Sequence, residues 1–394
     1  MEKGKAAGSG RVRGRHYETG EAVEITMAEG RIVRVEAAEP VGREEWEAWP
    51  WIGPGLVDLQ INGYAGIDLN TPPLRTEDVH AIARKLWQEG VTAFCPTVVT
   101  NGDEQIERTV EAVARACAED PLTRDCIAGI HLEGPFISPQ DGPRGAHRRE
   151  YVKAPDWELF QRWQRAAGGR IKIVTLSPEY EEAPSFIEKC AQTGVVASIG
   201  HTAATTEQIR RAVLAGAAMS THLGNGAHPV IPRHPNYIWD QLAEEKLAPC
   251  AIADGHHLPA SVLKVFLRAK SEQLMLVSDA VALCGMAPGE YEAHIGGRVV
   301  LTEDGRLHLA DDPNLLAGSV KTLRADMEYL VAAGICALRT GWEMASVRPA
   351  KFMGLPAGAG LSAGAPADLV RLTWDRHRLK VVDVYKNGCR VAHA

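Results

Sequence analysis

The 394-residue chain has no CxxC pair among its eight cysteines, no apolar run long enough to cross a bilayer and no excess of basic charge. Each absence excludes something. Scattered cysteines in a chain of this size do not form a disulfide framework, and Cys95 and Cys250 fall in apolar runs where a small core residue is expected. A reducing, cytoplasmic compartment is the expectation. A membrane span needs about twenty consecutive apolar residues, and none is present. The formal charge of −7 disfavours a nucleic-acid partner. The basic residues Lys3, Lys5, Arg11, Arg13 and Arg15 are not followed by an apolar stretch of signal-peptide length, so residues 1–10 read as a mobile tail. No glycine-rich phosphate loop follows an early strand, which disfavours an open dinucleotide-binding sheet.

What is present is the balance of a globular enzyme, 45% apolar and 24% charged. The length accommodates a barrel of about 250 residues with a smaller domain beside it. Residues 21–35 alternate as a hairpin, with Val23, Ile25 and Met27 before a turn at 28–31 and Ile32, Val33 and Val35 after it. From Pro54 the pattern changes. Eight strand-like runs follow: 56–61, 91–99, 127–132, 171–176, 195–199, 217–222, 250–253 and 274–277. Helical periodicity lies between them, as at 78–89 and 104–118. Gly90, Gly194 and Gly216 each close a helix before a strand. Runs apolar on both faces, joined by helices, predict a (β/α)8 TIM barrel over residues 54–355. Residues 291–309 read as a hairpin turning at Asp304-Gly305. The Gly/Ala/Pro-rich stretch 356–367 marks a boundary, and 368–391 is strand-like again with a turn at Asn387-Gly388. The chain ends, 1–53 and 356–394, together predict a small β-sandwich domain.

Reactive residues of such barrels stand at the C-terminal ends of the strands. Those ends carry Asp58, Gln60 and Asn62, then Glu133, His201, His222, His257 and Asp279. The stretch from Val195 to His228 is strand, helix, strand, with Thr205 and Gln208 spaced as a capping box. Its right-handed crossover brings His201 and His222 to one end of the sheet. Two imidazoles and the Glu133 carboxylate make a metal set with an open position, suited to one divalent ion, Zn2+ first and Fe2+ as the alternative. Asp279, in LVSDA, is the candidate proton carrier, able to take a proton from water and pass it to a leaving amine.

The segments PGLVDLQING (54–63), HLEGPFIS (131–138), GHTAAT (200–205), STHLGNGAHP (220–229), IADGHHL (252–258) and LVSDA (276–280) resemble the N-acetylglucosamine-6-phosphate deacetylase family of the amidohydrolase superfamily. The likeness runs the length of the chain. It implies that Glu133, His201 and His222 bind the metal and that Asp279 is general base and acid. It implies that His147 polarises the acetyl carbonyl and His257 holds a sugar hydroxyl. Asn225 and Gly226 fall where the family cradles phosphate, and Arg233 where an arginine reaches it from the second subunit of a homodimer. Gly226 stands where alanine is usual. Gln60 and Asn62 replace the HxH of many superfamily members, so a second metal position is weak or empty and both count with the substrate-binding residues. The segment 222–242 departs furthest from the family, with His228, His234, Tyr237 and Trp239 at the phosphate end. The two aromatics suit a sugar face or a dimer interface. The implied reaction is release of acetate from N-acetylglucosamine-6-phosphate. The rivals are hydrolysis of another N-acyl amino sugar or N-acyl amino acid, and a non-catalytic barrel used for binding.

Overall fold

A computed structural model of the chain describes residues 8–39, 42–293, 297–375 and 378–393. The chain divides into two compact units. One comprises the residues up to Asp58, Ala83–Phe94 and those from Thr322 on; the other is Leu59–Ile82 with Cys95–Lys321.

In the first unit both ends of the chain build one seven-stranded sheet. Its order is Cys389–His393, Leu379–Lys386, Leu369–Trp374, Trp51–Pro54, Gly10–His16, Ala22–Ala28 and Arg31–Ala37. The turn at 28–31 places Glu29 and Gly30 at φ +52° and +76°, and Asn387 and Gly388 stand at +48° and +72°. Consecutive positive φ values are what a two-residue hairpin turn demands, and Asn-Gly supplies them with little strain. Val12, Ile25, Met27, Ile32, Ile52 and Leu369 are buried together as the core of this sheet. Gly53 is glycine for a packing reason. A Cβ there would lie 2.4 Å from the indole of Trp342, whose Nε1 donates to the Pro54 carbonyl at 2.9 Å. Of the tail read over 1–10, residues 1–7 lie outside the described residues. Gly8 already donates its N–H to Asn387, and Gly10 opens the first strand.

The eight strand-like runs form one eight-stranded sheet in sequence order: Leu56–Ile61, Val91–Val99, Ile130–Glu133, Ile171–Leu176, Val196–Ile199, Met219–Ser220, Ala248–Ala251 and Met275–Leu276. Successive pairings are parallel, and a parallel bridge from Ile61 to Ala280 brings the last run back to the first. The fold is the (β/α)8 barrel. Every residue of Leu56–Ile61 and Val91–Val99 is buried, as strands covered on both faces require. The capping box between Thr205 and Gln208 is present, and helix Thr206–Ala215 ends on Gly216 at φ +114°. Strands Gly289–Ala293, Gly297–Leu301 and Leu307–Leu309 form a separate antiparallel sheet around Val299, Leu301 and Leu307. Among the described residues no helix is long and apolar enough to cross a membrane.

Candidate active site

Below the site, a chain of hydrogen bonds ties the barrel strands together. His131 is fully buried, with Nδ1 3.0 Å from the Leu59 carbonyl. A carbonyl only accepts, so Nδ1 carries the proton and Nε2 accepts from Thr175 Oγ1 at 2.7 Å. Thr175 then accepts from Thr221 at 2.7 Å, and Thr221 from Ser198 at 2.6 Å. The direction of every proton follows from the first carbonyl. The network holds the strands that deliver Glu133, His201 and His222.

Three of the polar residues just past the strands have left-handed backbones: His201 at φ +49°, His222 at +26° and Asp279 at +49°. Each such non-glycine residue stores roughly 1 kcal/mol or more and persists only where its surroundings dictate it. The His201 carbonyl accepts from Ser138 N at 2.9 Å, and Asp279 N donates to the Gln60 carbonyl at 3.0 Å. These bonds turn the side chains inward over the barrel mouth.

The inward atoms meet closely. His222 Nε2 lies 3.0 Å from Glu133 Oε1, His201 Nε2 lies 3.3 Å from the same oxygen, and the two Nε2 atoms are 3.1 Å apart. Four-coordinate zinc with bonds of about 2.0–2.1 Å has ligand atoms roughly 3.3 Å apart, so the triangle fits. The tautomer agrees. His201 Nδ1 donates to the Pro143 carbonyl at 2.9 Å, which leaves the lone pair on Nε2 pointing into the triangle. His222 Nδ1 is buried without a hydrogen-bond partner among the described residues. Glu133, His147 and His201 also offer ligand atoms within 4.8 Å of one another. The set with His222 is tighter, so His147 is a neighbour of the candidate metal position.

Burial raises the Glu133 carboxyl, but the His201 and His222 imidazoles set against it outweigh burial and hold the group well below the usual carboxylate range. His222 is shifted up, since its bond to Glu133 and the nearby charges overcome burial. His147 is pushed down to about 3 by burial and by His201, so it is neutral. Asp279 is pushed up to about 6 by burial and by the charge of Glu133. Asn62 Nδ2 donates to Asp279 Oδ1 at 2.6 Å, and Gln60 Nε2 donates to Glu133 Oε1 at 2.8 Å. The two amides that stand in place of HxH thus hold the carboxylates.

A cavity of about 240 Å3 opens on these groups. Asn62, Glu133, His147, His201, His222, Asn225, Gly226, His257 and Asp279 all line it. Gln60 is fully buried, does not line the cavity and bonds to Glu133, which does. Arg233 and His234 are exposed on the following loop and do not line it. Tyr237 is buried and its hydroxyl accepts from His228 N at 2.8 Å, whereas Trp239 is half exposed at 49%. Gly226 has φ +55°, and a Cβ there would fall 2.7 Å from His201 Nδ1, which accounts for glycine at this position.

Two residues in the site were not singled out by their sequence. Asp254 Oδ2 accepts from His257 Nδ1 at 2.7 Å, and its Oδ1 accepts from the backbone N–H of His256 and of His257, both at 2.8 Å. Burial raises Asp254, but the His257 contacts bring it down to about 2. Its signal was legible in IADGHH, three residues before His257. Thr100, immediately after strand Val91–Val99, places Oγ1 2.8 Å from His147 Nδ1 and has no sequence signature. The loop Leu315–Gly318 also lines the cavity.

Known proteins resemble this arrangement throughout the chain. The amidohydrolase family model matches residues 51–391. N-acetylglucosamine-6-phosphate deacetylase of Bacillus subtilis is 34% identical over 326 residues, 82% of this chain and 80% of that protein. This chain belongs to the N-acetylglucosamine-6-phosphate deacetylase family of amidohydrolases. The human deacetylase is 32% identical over 83% of this chain and 80% of its own length. An aspartate-to-alanine variant of the Mycobacterium smegmatis deacetylase, solved with N-acetyl-D-glucosamine-6-phosphate, superposes with a TM-score of 0.85 at 29% identity, covering 98% of this chain and 99% of that one.

Proposed function

We propose that this deacetylase-family chain hydrolyses the N-acetyl amide of N-acetylglucosamine-6-phosphate to glucosamine-6-phosphate and acetate. The observation that carries the reading is the convergence in one cavity of a two-histidine, one-carboxylate triangle, a neutral histidine and a buried aspartate. Glu133, His201 and His222 would hold the metal, zinc by preference with iron as the alternative, and a divalent ion there supplies a Lewis acid that lowers the pKa of water. His147 donates a hydrogen bond to the acetyl oxygen and stabilises the negative charge that develops on it. Asp279, oriented by Asn62, takes a proton from the attacking water and returns it to the departing amine. His257, braced by Asp254, accepts from a sugar hydroxyl. Asn225 and Gly226 form the phosphate end.

Arg233 completes that end from a second copy in a homodimer. Its exposure, beside the exposed Val230 and Trp239, supports that arrangement. The scattered spacing of the cysteines, without a CxxC pair, in a chain of this size supports a cytoplasmic location. One observation favours a second substrate: among the described residues no lysine or arginine lines this cavity, which suits an unphosphorylated N-acyl amino sugar. Acetate release from N-acetylglucosamine-6-phosphate and from its unphosphorylated parent, with metal content measured on the same sample, separates the two. Preference for the phosphorylated sugar is expected. Equal or better turnover of the free sugar would overturn the phosphate assignment, and no acetate from either would overturn the activity.

A further inference from the structure

Two histidines of the cavity, His147 and His201, stack edge to face with ring centroids 4.5 Å apart, yet their Nδ1 atoms meet opposite kinds of partner. His201 Nδ1 faces the Pro143 carbonyl at 2.9 Å. A carbonyl cannot donate, so Nδ1 must, and Nε2 is left bare as a ligand requires. His147 Nδ1 faces the Thr100 hydroxyl at 2.8 Å, and a hydroxyl can donate. We propose that Thr100 is a positioning residue: it donates its hydroxyl proton to His147 Nδ1 and so leaves the imidazole proton on Nε2, aimed into the cavity. The catalytic consequence rests on the role proposed above for His147.

The hydroxyl has one proton and, among the described residues, two acceptors within reach. One is His147 Nδ1 at 2.8 Å; the other is the Glu133 carbonyl at 3.5 Å. An O–H···O bond is best near 2.7–2.8 Å and is weak at the second distance, so the proton belongs to the imidazole. The opposite assignment has a chemical cost. A bare Nε2 on His147 would present a ligand lone pair in a cavity where His147, Glu133 and His201 offer ligand atoms within 4.8 Å of one another. It could not donate to a carbonyl oxygen. Thr100 therefore decides whether this ring is a donor or a competing ligand.

The surroundings keep the pair together. Thr100 is 5% exposed. Arg144 Nη1 donates to the His147 carbonyl at 2.6 Å and fixes the backbone that carries the ring. Gly134 stands at φ +81°, and a Cβ there would lie 2.1 Å from Thr100 Oγ1. The glycine of HLEGPF thus leaves the space that the hydroxyl occupies.

The test combines a spectroscopic and a kinetic readout. Two-bond 15N–1H spectra of histidine-labelled full-length protein report each tautomer, and a His147→Gln variant assigns the signal. A protonated Nε2 with a hydrogen-bonded, bare Nδ1 is expected; a protonated Nδ1 overturns the proposal. Thr100→Val should lower kcat about tenfold, the loss of one hydrogen bond, with KM and metal content little changed. Thr100→Ser should restore kcat to within about threefold of the parent, as a hydroxyl effect requires and a purely steric one does not. Full kcat in Thr100→Val, or no rescue by serine, overturns the proposal. If Thr100→Val does not fold, the spectrum of the unmodified protein and the serine variant still decide it. A protein that releases no acetate but shows a protonated Nε2 would defeat the proposed function and uphold the tautomer.

Discussion

Asp279→Asn separates the chemistry of this aspartate from its effect on stability. The Asp279 carboxyl is buried, lies near Glu133 and is pushed up to about 6 from an ordinary 3.8. That difference of about two pKa units corresponds to roughly 3 kcal/mol by which ionisation is harder in the folded chain than in the unfolded one. The sign follows from proton binding. A group whose folded pKa is raised contributes its stability below 3.8, and that contribution is lost as pH rises through about 6. Asparagine never ionises. It also tolerates the φ of +49° better than most residues and keeps an oxygen for the Asn62 amide. In urea unfolding of chelator-treated protein, the variant should therefore exceed the parent by up to about 3 kcal/mol at pH 7.5. The advantage should shrink between pH 6 and pH 4 and vanish below it. A bound cation should reduce the advantage by neutralising the local negative charge. In the same variant, acetate release should be abolished while metal content is retained, because Asp279 is outside the Glu133, His201 and His222 triangle. A variant no more stable than the parent at pH 7.5 would refute the account of Asp279 as a desolvated, repelled carboxylate. Full activity would refute its role as proton carrier.

Further outcomes follow from individual contacts. Gly226→Ala should lower metal occupancy after dialysis together with kcat, since its Cβ would press on His201 at 2.7 Å; unchanged metal content would show that the loop gives way freely. Asp254→Asn should raise KM more than it lowers kcat. It should also cost about 2 kcal/mol at neutral pH, a contribution present above pH 3.8 and lost as pH falls through about 2; an unchanged KM would remove His257 from sugar binding. Chelation should abolish acetate release, and zinc should restore it and raise the Tm, which calorimetry would show. The acid limb of kcat/KM should lie at or below pH 6, because a nearby cation can only lower Asp279 from its metal-free position; a limb at pH 7 or above would contradict the assignment.

The barrel was legible in the chain because its signals are local. Each strand is a short apolar run, each crossover a periodic helix, and Gly90 and Gly216 mark handovers with φ of +83° and +114°. The same holds for the turns at Glu29-Gly30 and Asn387-Gly388, where residue type and backbone agree. The strand boundaries were less legible. The run read over 217–222 is a strand only at Met219–Ser220, because the chain must leave the sheet to turn His222 inward. Helices Leu338–Ala345 and Val347–Phe352 are separated only by Ser346, whose hydroxyl donates to the Gly55 carbonyl, a break that depends on a partner distant in sequence.

The sequence by itself determined the kind of chemistry: carboxylate and imidazole at the ends of successive parallel strands must share one mouth, whatever the loops do. Tertiary structure alone decided what each group is for. Whether an imidazole is ligand or donor depends on what faces its other nitrogen, and Pro143 and Thr100 come from loops 58 and 47 residues away from the histidines they serve. The pH at which a carboxylate gives up its proton depends on burial and on the charge beside it, which set Asp279 near 6 and Asp254 near 2. Composition and spacing name the groups; only distance and dielectric assign their protons.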